Sequence, residues 1–393
     1  MSEKWIVFLV ERDNYYKFYS LLIEKLIEDG KKVWLLHRKK IISFKDYKVL
    51  YYPAFNKIPL FKGFNGSNIR ISYFRRNEEL TRLFYDNTAH LVFSIHSMEK
   101  YNIKSLDNIK WFTLQSPDTL IEVTTQPSFS CDMLFLFSRK FLNFSPKQII
   151  NKLNYKECGL YYCDKNMYNK PDILFKYNLP INLKYLLYIP LSNYYAYPVY
   201  SYSFLDKYRL KRIFKKEINM IKTLSAILKE KGWGLLIKSR YKRILGKEYE
   251  ENGYVFYDET YYPQTLYELL KISSLVVSAY PSFVITEAIF FRLPYFLIAN
   301  DFKELDNMIA INATTHNFDK DYSKYYYGSE SLCEIIKPKF SHKTIDKLIS
   351  KKIDKSLRDS WLKKYFLQED YIGNEKEDEG WKLIVDEVNL HYS

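Results

Sequence analysis

The chain has 393 residues, enough for two domains of ordinary size. Hydrophobic residues make up 47% and charged residues 27%, with only 11 Gly and 13 Pro, which excludes a disordered, collagen-like or linker-dominated chain. The formal net charge of +14 favours polyanionic partners, but the basic residues are spread out and carry no recognised nucleic-acid motif, so phosphate-bearing substrates and anionic phospholipid fit better than nucleic acid.

Residues 5–10 (WIVFLV) read as a first strand. The apolar run is short and is followed at once by Glu11, Arg12 and Asp13, which is not the pattern of a secretion signal. A helix is expected over 15–28, with Phe18, Leu21, Leu22 and Leu26 on one face and Gly30 as its C-terminal cap. A second strand is expected over 33–36 and a third over 49–52. Residues 53–68 read as a long substrate loop, and 75–85 as a helix. Three further strands are expected over 91–95, 111–114 and 133–137. Strands without alternation, joined by helices, demand a parallel sheet covered on both faces. The opening is Rossmann-like, without the G-x-G-x-x-G fingerprint. Asp13, His96 and Gln115 stand at strand ends and converge on one rim, where α/β proteins place their ligands.

The polar stretch 156–183 reads as a linker. Beyond it come a strand ending in Pro190, a long helix over 205–230 closed by Gly232, a strand over 233–237 and another over 254–257, and a short helix over 264–272. The run 275–298 (LVVSAYPSFVITEAIFFRLPYFLI) reads as strand, turn, helix and strand. Its turn places Tyr280, Pro281 and Ser282 at a strand end, with Thr286 and Glu287 further into the helix. Unpaired N–H groups at that helix start suit a phosphate, and Glu287 suits a ribose diol. A last helix is expected over 381–390.

No apolar run reaches transmembrane length, and Cys131, Cys158, Cys163 and Cys333 are scattered, which reads as reduced thiols of a cytoplasmic chain. The basic runs 207–216, 238–247 and 351–364 could hold the chain to the inner face of an anionic plasma membrane.

The segment 275–298 resembles the nucleotide-binding segment of GT-B glycosyltransferases, nearest in pattern to the CDP-glycerol glycerophosphotransferase-like and capsular sugar transferase branches. Those branches typically carry Asp-Tyr-Ser-Ser, then an acid and Ala, then Gly-Lys-Pro. Here the equivalents are Ala279-Tyr280-Pro281-Ser282, Glu287-Ala288 and Arg292-Leu293-Pro294. The order LLYIP, long helix, Gly-Trp, LLIK, YVFY and YELL extends the resemblance over the C-terminal half. The resemblance weakens after Ala299, and the His-Gly turn of glycerophosphotransferases is replaced by Gln115-Ser116.

The resemblance implies an α/β fold of two Rossmann-like domains facing a central cleft. Residues 1–178 would form an acceptor domain, 179–370 a nucleotide-donor domain, and 371–393 a helix crossing back to the first. It implies transfer of a sugar from a nucleotide-activated donor to a cell-surface glycan or lipid-linked acceptor. Lys238, Arg240, Tyr280, Ser282, Thr286 and Glu287 would hold the donor, and Glu11, Asn14 and Gln115 would face the acceptor. The general base comes from Asp13, Glu11 or His96; Asp13 is favoured by its place in the first loop, where it could equally cap the following helix. With no Asp-x-Asp in a suitable strand-end loop and no His/Cys cluster of metal spacing, neither metal nor cofactor is expected. The alternatives are a CDP-glycerol-type polyol-phosphate transferase, a nucleotide-sugar 2-epimerase, and a non-catalytic α/β binding protein.

Overall fold

A computed structural model describes residues 4–11, 15–39, 67–116, 122, 128–139, 142, 152–190, 204–239, 245–257, 264–279, 284–299, 332–365 and 379–392, with 204–214 and 364–365 described by backbone alone. In chain order the first unit contains β1 (Trp5–Val10), α1 (Tyr16–Glu28), β2 (Val33–Arg38), β3 (Ile69–Phe74), α2 (Glu78–Asp86), β4 (Ala89–Ser94), β5 (Lys110–Leu114), β6 (Met133–Leu136) and β7 (Tyr155–Glu157). The second contains α3 (Lys170–Lys176), β8 (Lys184–Ile189), α4 (Phe204–Glu230), β9 (Trp233–Lys238), α5 (Lys247–Glu250), β10 (Tyr254–Phe256), α6 (Thr265–Ile272), β11 (Leu275–Ser278), α7 (Val284–Phe290), β12 (Tyr295–Ile298), β13 (Cys333–Ile336) and α8 (His342–Ser350). Two helices close the chain, α9 (Lys355–Tyr365) and α10 (Gly380–Tyr392). The compact units divide between Asp164 and Lys165 and again between Arg358 and Asp359, so α10 belongs to the first unit. The first division lies ahead of the boundary expected at 178. The stretch read as a linker carries β7 and α3.

Each unit is a parallel sheet. The first runs β3-β2-β1-β4-β5-β6-β7 and the second β10-β9-β8-β11-β12-β13. The first strand of each unit lies between its second and fourth, so the order reverses direction there. The strands were legible because they are apolar throughout: Ile6, Val7, Phe8, Leu9 and Val10 of β1 are all completely buried, as a strand covered on both faces requires. One face of the first sheet buries Val7, Leu9, Trp34, Leu36, Val92 and Trp111 together. The second sheet packs Leu186, Tyr188, Leu235, Ile237 and Val277 under Ile221, Leu224 and Leu228 of α4.

Two elements depart from expectation. The strand expected over 49–52 lies outside the described residues, and an unanticipated strand, β3, occupies Ile69–Phe74, between the loop expected over 53–68 and the helix expected over 75–85. Its sequence IRISYF alternates because β3 is an edge strand with Ile71 and Tyr73 exposed, so it lacks the continuous apolar run that marks the other strands. The short edge strand β13 was not anticipated either.

Helix ends share one device. After α1, the Gly30 N–H bonds Ile27 O and the Lys31 N–H bonds Leu26 O, at 3.0 and 2.9 Å, with Gly30 at φ 75°. This is a Schellman close, whose left-handed residue is usually glycine. After α7 the same pattern recurs at Arg292, with φ 63°, Arg292 N–H to Ile289 O at 3.0 Å and Leu293 N–H to Ala288 O at 2.9 Å. The carbonyls of Ile289 and Phe290 also accept bonds from the guanidinium of Arg358, at 3.0 and 3.1 Å, and Arg358 is only 1% exposed. At the start of α10, a Cβ on Gly380 would stand 1.9 Å from Cys158 O, so the helix reaches the first unit only because this position has no side chain.

Arg292 therefore occupies a conformation that costs an L residue roughly 1–2 kcal/mol. Glycine's greater freedom in the unfolded chain offsets about half of that gain. Replacing Arg292 by Gly is expected to raise the unfolding free energy by about 0.5–1 kcal/mol, read as a higher urea midpoint with an unchanged m-value.

Candidate functional site

In a doubly wound sheet, ligands bind outside the carboxyl ends of the strands, where the strand order reverses. In the first unit that point lies between β1 and β4, and the residues leaving those strands are Glu11 and Ile95-His96-Ser97.

His96 is held from all sides. Its N–H donates to Ser94 Oγ at 2.9 Å, and its carbonyl accepts from Trp111 Nε1 at 3.0 Å and Thr113 Oγ1 at 3.3 Å. Its ring Nδ1 lies 2.8 Å from Glu122 Oε2. A carboxylate only accepts, so Nδ1 carries a proton, and in the neutral ring Nε2 is then the acceptor for the hydroxyl of Tyr15, also at 2.8 Å. The other oxygen of Glu122 takes the Ser97 N–H at 3.2 Å and the Ser97 hydroxyl. Glu11 lies on the opposite side, with Oε2 3.9 Å from His96 Nε2 and Oε1 2.9 Å from Arg38. Arg38 also donates to Asn77 Oδ1 and lies over the ring of Phe74 at 4.9 Å. The side chains of His96, Glu122 and Glu11 are 10%, 9% and 12% exposed, shielded but reachable. Burial raises the phenols of Tyr19 and Tyr101 well above their ordinary range, and the negative charge of Glu11 adds to this, so both stay protonated. The arrangement offers a fixed imidazole between two carboxylates, the equipment for taking a proton from a hydroxyl.

The predicted acceptor-side residues divide as follows. His96 and Glu11 come together. Gln115 is completely buried, with Oε1 accepting from Phe137 N–H at 2.6 Å and its carbonyl from Tyr161 at 3.1 Å, which ties β5 to β6. Asp13 and Asn14 lie outside the described residues; the residue preceding α1 is Tyr15, with no side-chain cap. Tyr15, Arg38 and Glu122 were missed. Tyr15 is one of 38 tyrosines and Glu122 one acid among 46 acidic residues, so no spacing marked either.

In the second unit the reversal lies between β8 and β11. Lys238 ends β9, is 5% exposed, and donates to Ser239 O at 2.9 Å. Thr286 and Glu287 in α7 are each 1% exposed, and Glu287 Oε1 accepts the hydroxyl of Tyr267 in α6 at 3.0 Å. Glu287 thus has a partner inside the fold, where the sequence suggested a side chain open to a ribose. Arg240, Tyr280 and Ser282 lie outside the described residues. Among the described residues no group of three or more His, Cys, Asp or Glu could hold a metal ion, and no helix is long and apolar enough to cross a membrane. All four cysteines are free, and burial lifts the thiols of Cys131 and Cys333 to about 12.

No family model matches the chain, and no curated protein matches it. Solved structures do. UGT89C1 of Arabidopsis thaliana, complexed with quercetin, aligns over 98% of this chain and 99% of its own at 9% identity, with a TM-score of 0.50. The calicheamicin glycosyltransferase CalG4 aligns over 100% and 98% at 9% identity and 0.48. A putative UDP-N-acetylglucosamine 2-epimerase from Listeria monocytogenes aligns over 100% and 97% at 10% identity and 0.49. At 9% identity the likeness to UGT89C1 concerns the fold alone, which is of the GT-B type: two parallel sheets in an α/β arrangement.

His37 is the last buried residue of β2, on the face that meets α1. Its Nε2 pairs with the Tyr16 hydroxyl at 2.8 Å, and burial lowers its pKa from 6.5 to about 4. Between these values the unfolded chain takes up a proton that the native chain refuses, so stability is full above pH 6.5 and falls as the pH drops toward 4. The loss across that window is about 3 kcal/mol at 1.36 kcal/mol per pH unit. His37→Gln is expected to lack this part of the acid sensitivity, measured as the difference between wild-type and variant urea midpoints at pH 7 and pH 4.5.

Proposed function

We propose that the chain is a glycosyltransferase that moves a sugar from a nucleotide-activated donor to a cell-surface glycan or lipid-linked acceptor, without a metal ion. The observation that carries this reading is the His96–Glu122–Glu11 cluster at the strand-order reversal of the first unit. It supplies what activation of an acceptor hydroxyl needs: a positioned proton acceptor with its orientation fixed by a second group. The second unit contributes Lys238 at a strand end, a cation suited to the phosphate of the leaving nucleotide. Arg240, Tyr280 and Ser282 complete the proposed donor set by sequence, with Thr286 and Glu287 behind them. The excess of positive charge suits both a phosphorylated donor and an anionic membrane surface.

One observation also favours a second reading. A nucleotide-sugar 2-epimerase needs several carboxylates and a histidine converging on the sugar, and Glu11, Glu122 and His96 form such a set. An epimerase acts on the nucleotide sugar alone, whereas a transferase releases the nucleotide.

A thermal-shift panel of UDP-, GDP-, CDP- and CMP-linked compounds identifies the donor, because a ligand that binds only the native state raises the melting temperature. With that donor, nucleotide release is expected, and conversion to an epimer without release would establish the second reading. A charge-assisted hydrogen bond contributes about 1.5–3 kcal/mol. Glu287→Gln should therefore weaken nucleotide binding roughly tenfold to a hundredfold; unchanged affinity removes Glu287 from the donor site and leaves it as the partner of Tyr267. Turnover should persist in EDTA, and a complete loss restored by Mg²⁺ or Mn²⁺ would overturn metal-independent transfer.

A further inference from the structure

Among the described residues, the cluster in the first unit contains three groups able to take a proton, Glu11, His96 and Glu122, and their hydrogen bonds separate them. Both oxygens of Glu122 are occupied, Oε2 by His96 Nδ1–H and Oε1 by the N–H and hydroxyl of Ser97. The single in-plane lone pair of His96 Nε2 is occupied by the Tyr15 hydroxyl at 2.8 Å. Glu11 differs. Its Oε1 is fixed by Arg38 at 2.9 Å, while its Oε2 stands 3.9 Å from His96 Nε2, beyond hydrogen-bond distance, and accepts no hydrogen bond among the described residues. Glu11 also has the most exposed side chain of the three, at 12%. It is the first residue beyond β1, directly at the reversal of strand order.

The geometry assigns the general base to Glu11: its Oε2 is the atom that accepts the proton of the acceptor hydroxyl, with Arg38 and His96 as positioning residues. This assignment rests on the sugar-transfer reading above. In the step, the acceptor oxygen forms a bond to the anomeric carbon of the donor. The bond from that carbon to the phosphate oxygen breaks, and its electron pair leaves with the nucleotide. The hydroxyl proton passes to Glu11 Oε2 and from there to solvent after release. Arg38, itself tied to Asn77, turns Oε1 away and so fixes the direction of Oε2. The Tyr15–His96–Glu122 chain forms the rigid wall against which the hydroxyl is placed.

The test uses the full chain with UDP-glucose, UDP-N-acetylglucosamine, GDP-mannose and CMP-sialic acid, each with a set of methyl glycosides as acceptors, and nucleotide release as the readout. Loss of a general base costs about a hundredfold to ten-thousandfold. Glu11→Gln should lower kcat by that amount with acceptor KM changed less than about threefold, and formate should restore part of the turnover of Glu11→Ala. His96→Gln should lose less than about tenfold. Should Glu11→Gln fail to melt cooperatively, Glu11→Asp keeps the charge but withdraws the oxygen, and a loss in kcat of at least about tenfold is expected from the misplacement alone. If Glu11→Gln stays within tenfold of wild type while His96→Gln loses a hundredfold, or if Glu11→Asp is fully active, the assignment is overturned and the transfer reading stands. If the wild-type chain releases nucleotide from none of the donors, the transfer reading falls and the assignment falls with it.

Discussion

A parallel strand covered on both faces by helices can meet a ligand only at its ends. This constraint governs both units. Their central strands are buried over nearly their whole length, so nothing along them is available for chemistry. The order of strands then selects which ends matter. Where β1 is flanked by β2 and β4, the chain leaves the two central strands toward opposite faces of the sheet and opens a crevice between them. Glu11 and His96 lie there because they follow β1 and β4. The same order in the second unit sets the reversal between β8 and β11 and leaves Lys238 at the end of the neighbouring β9.

At the first of these points the backbone and ring atoms of His96 are all hydrogen-bonded. Burying a polar group without a partner costs more than a typical hydrogen bond contributes, and around His96 most such groups are matched. Strand β5 supplies two donors to its carbonyl, β4 supplies an acceptor for its N–H, and Glu122 and Tyr15 fix its ring. The result is a ring whose tautomer and direction are set before any substrate arrives. Preorganisation of this kind is what a proton transfer in a shielded site requires, since no group has to be reoriented as charge develops. The Glu11–Arg38 pair at the edge of the cluster is less enclosed, with Arg38 29% exposed, and keeps a carboxylate oxygen available.

The second unit meets the same problem by different means. Glu287 is buried in a short helix and takes a tyrosine hydroxyl from the preceding helix, so α6 and α7 are joined by a polar contact as well as by packing. The carbonyls at the end of α7 are satisfied by a guanidinium from α9, which secures the turn where an arginine stands in a left-handed conformation. That turn is the position at which the resembling transferases carry glycine.

The sequence by itself determined the class of fold and most of its strands. A strand buried on both faces must be apolar at every position, and β1, β8, β11 and β12 are therefore visible as uninterrupted runs. Glycines after α1 and α4 marked their ends because few other residues adopt positive φ at low cost. Position at a strand end also marked His96, whereas Glu11 entered as one of the candidate bases beside Asp13. What only the tertiary structure decided was the company these residues keep. Tyr15 reaches His96 across 81 positions of sequence and Glu122 across 26, each from a segment with no periodicity to announce it. Likewise, the edge strand β3 was hidden because its open face relaxes the demand for apolar residues. Periodicity records how one segment meets the core, and a hydrogen bond between distant segments leaves no trace in either segment alone.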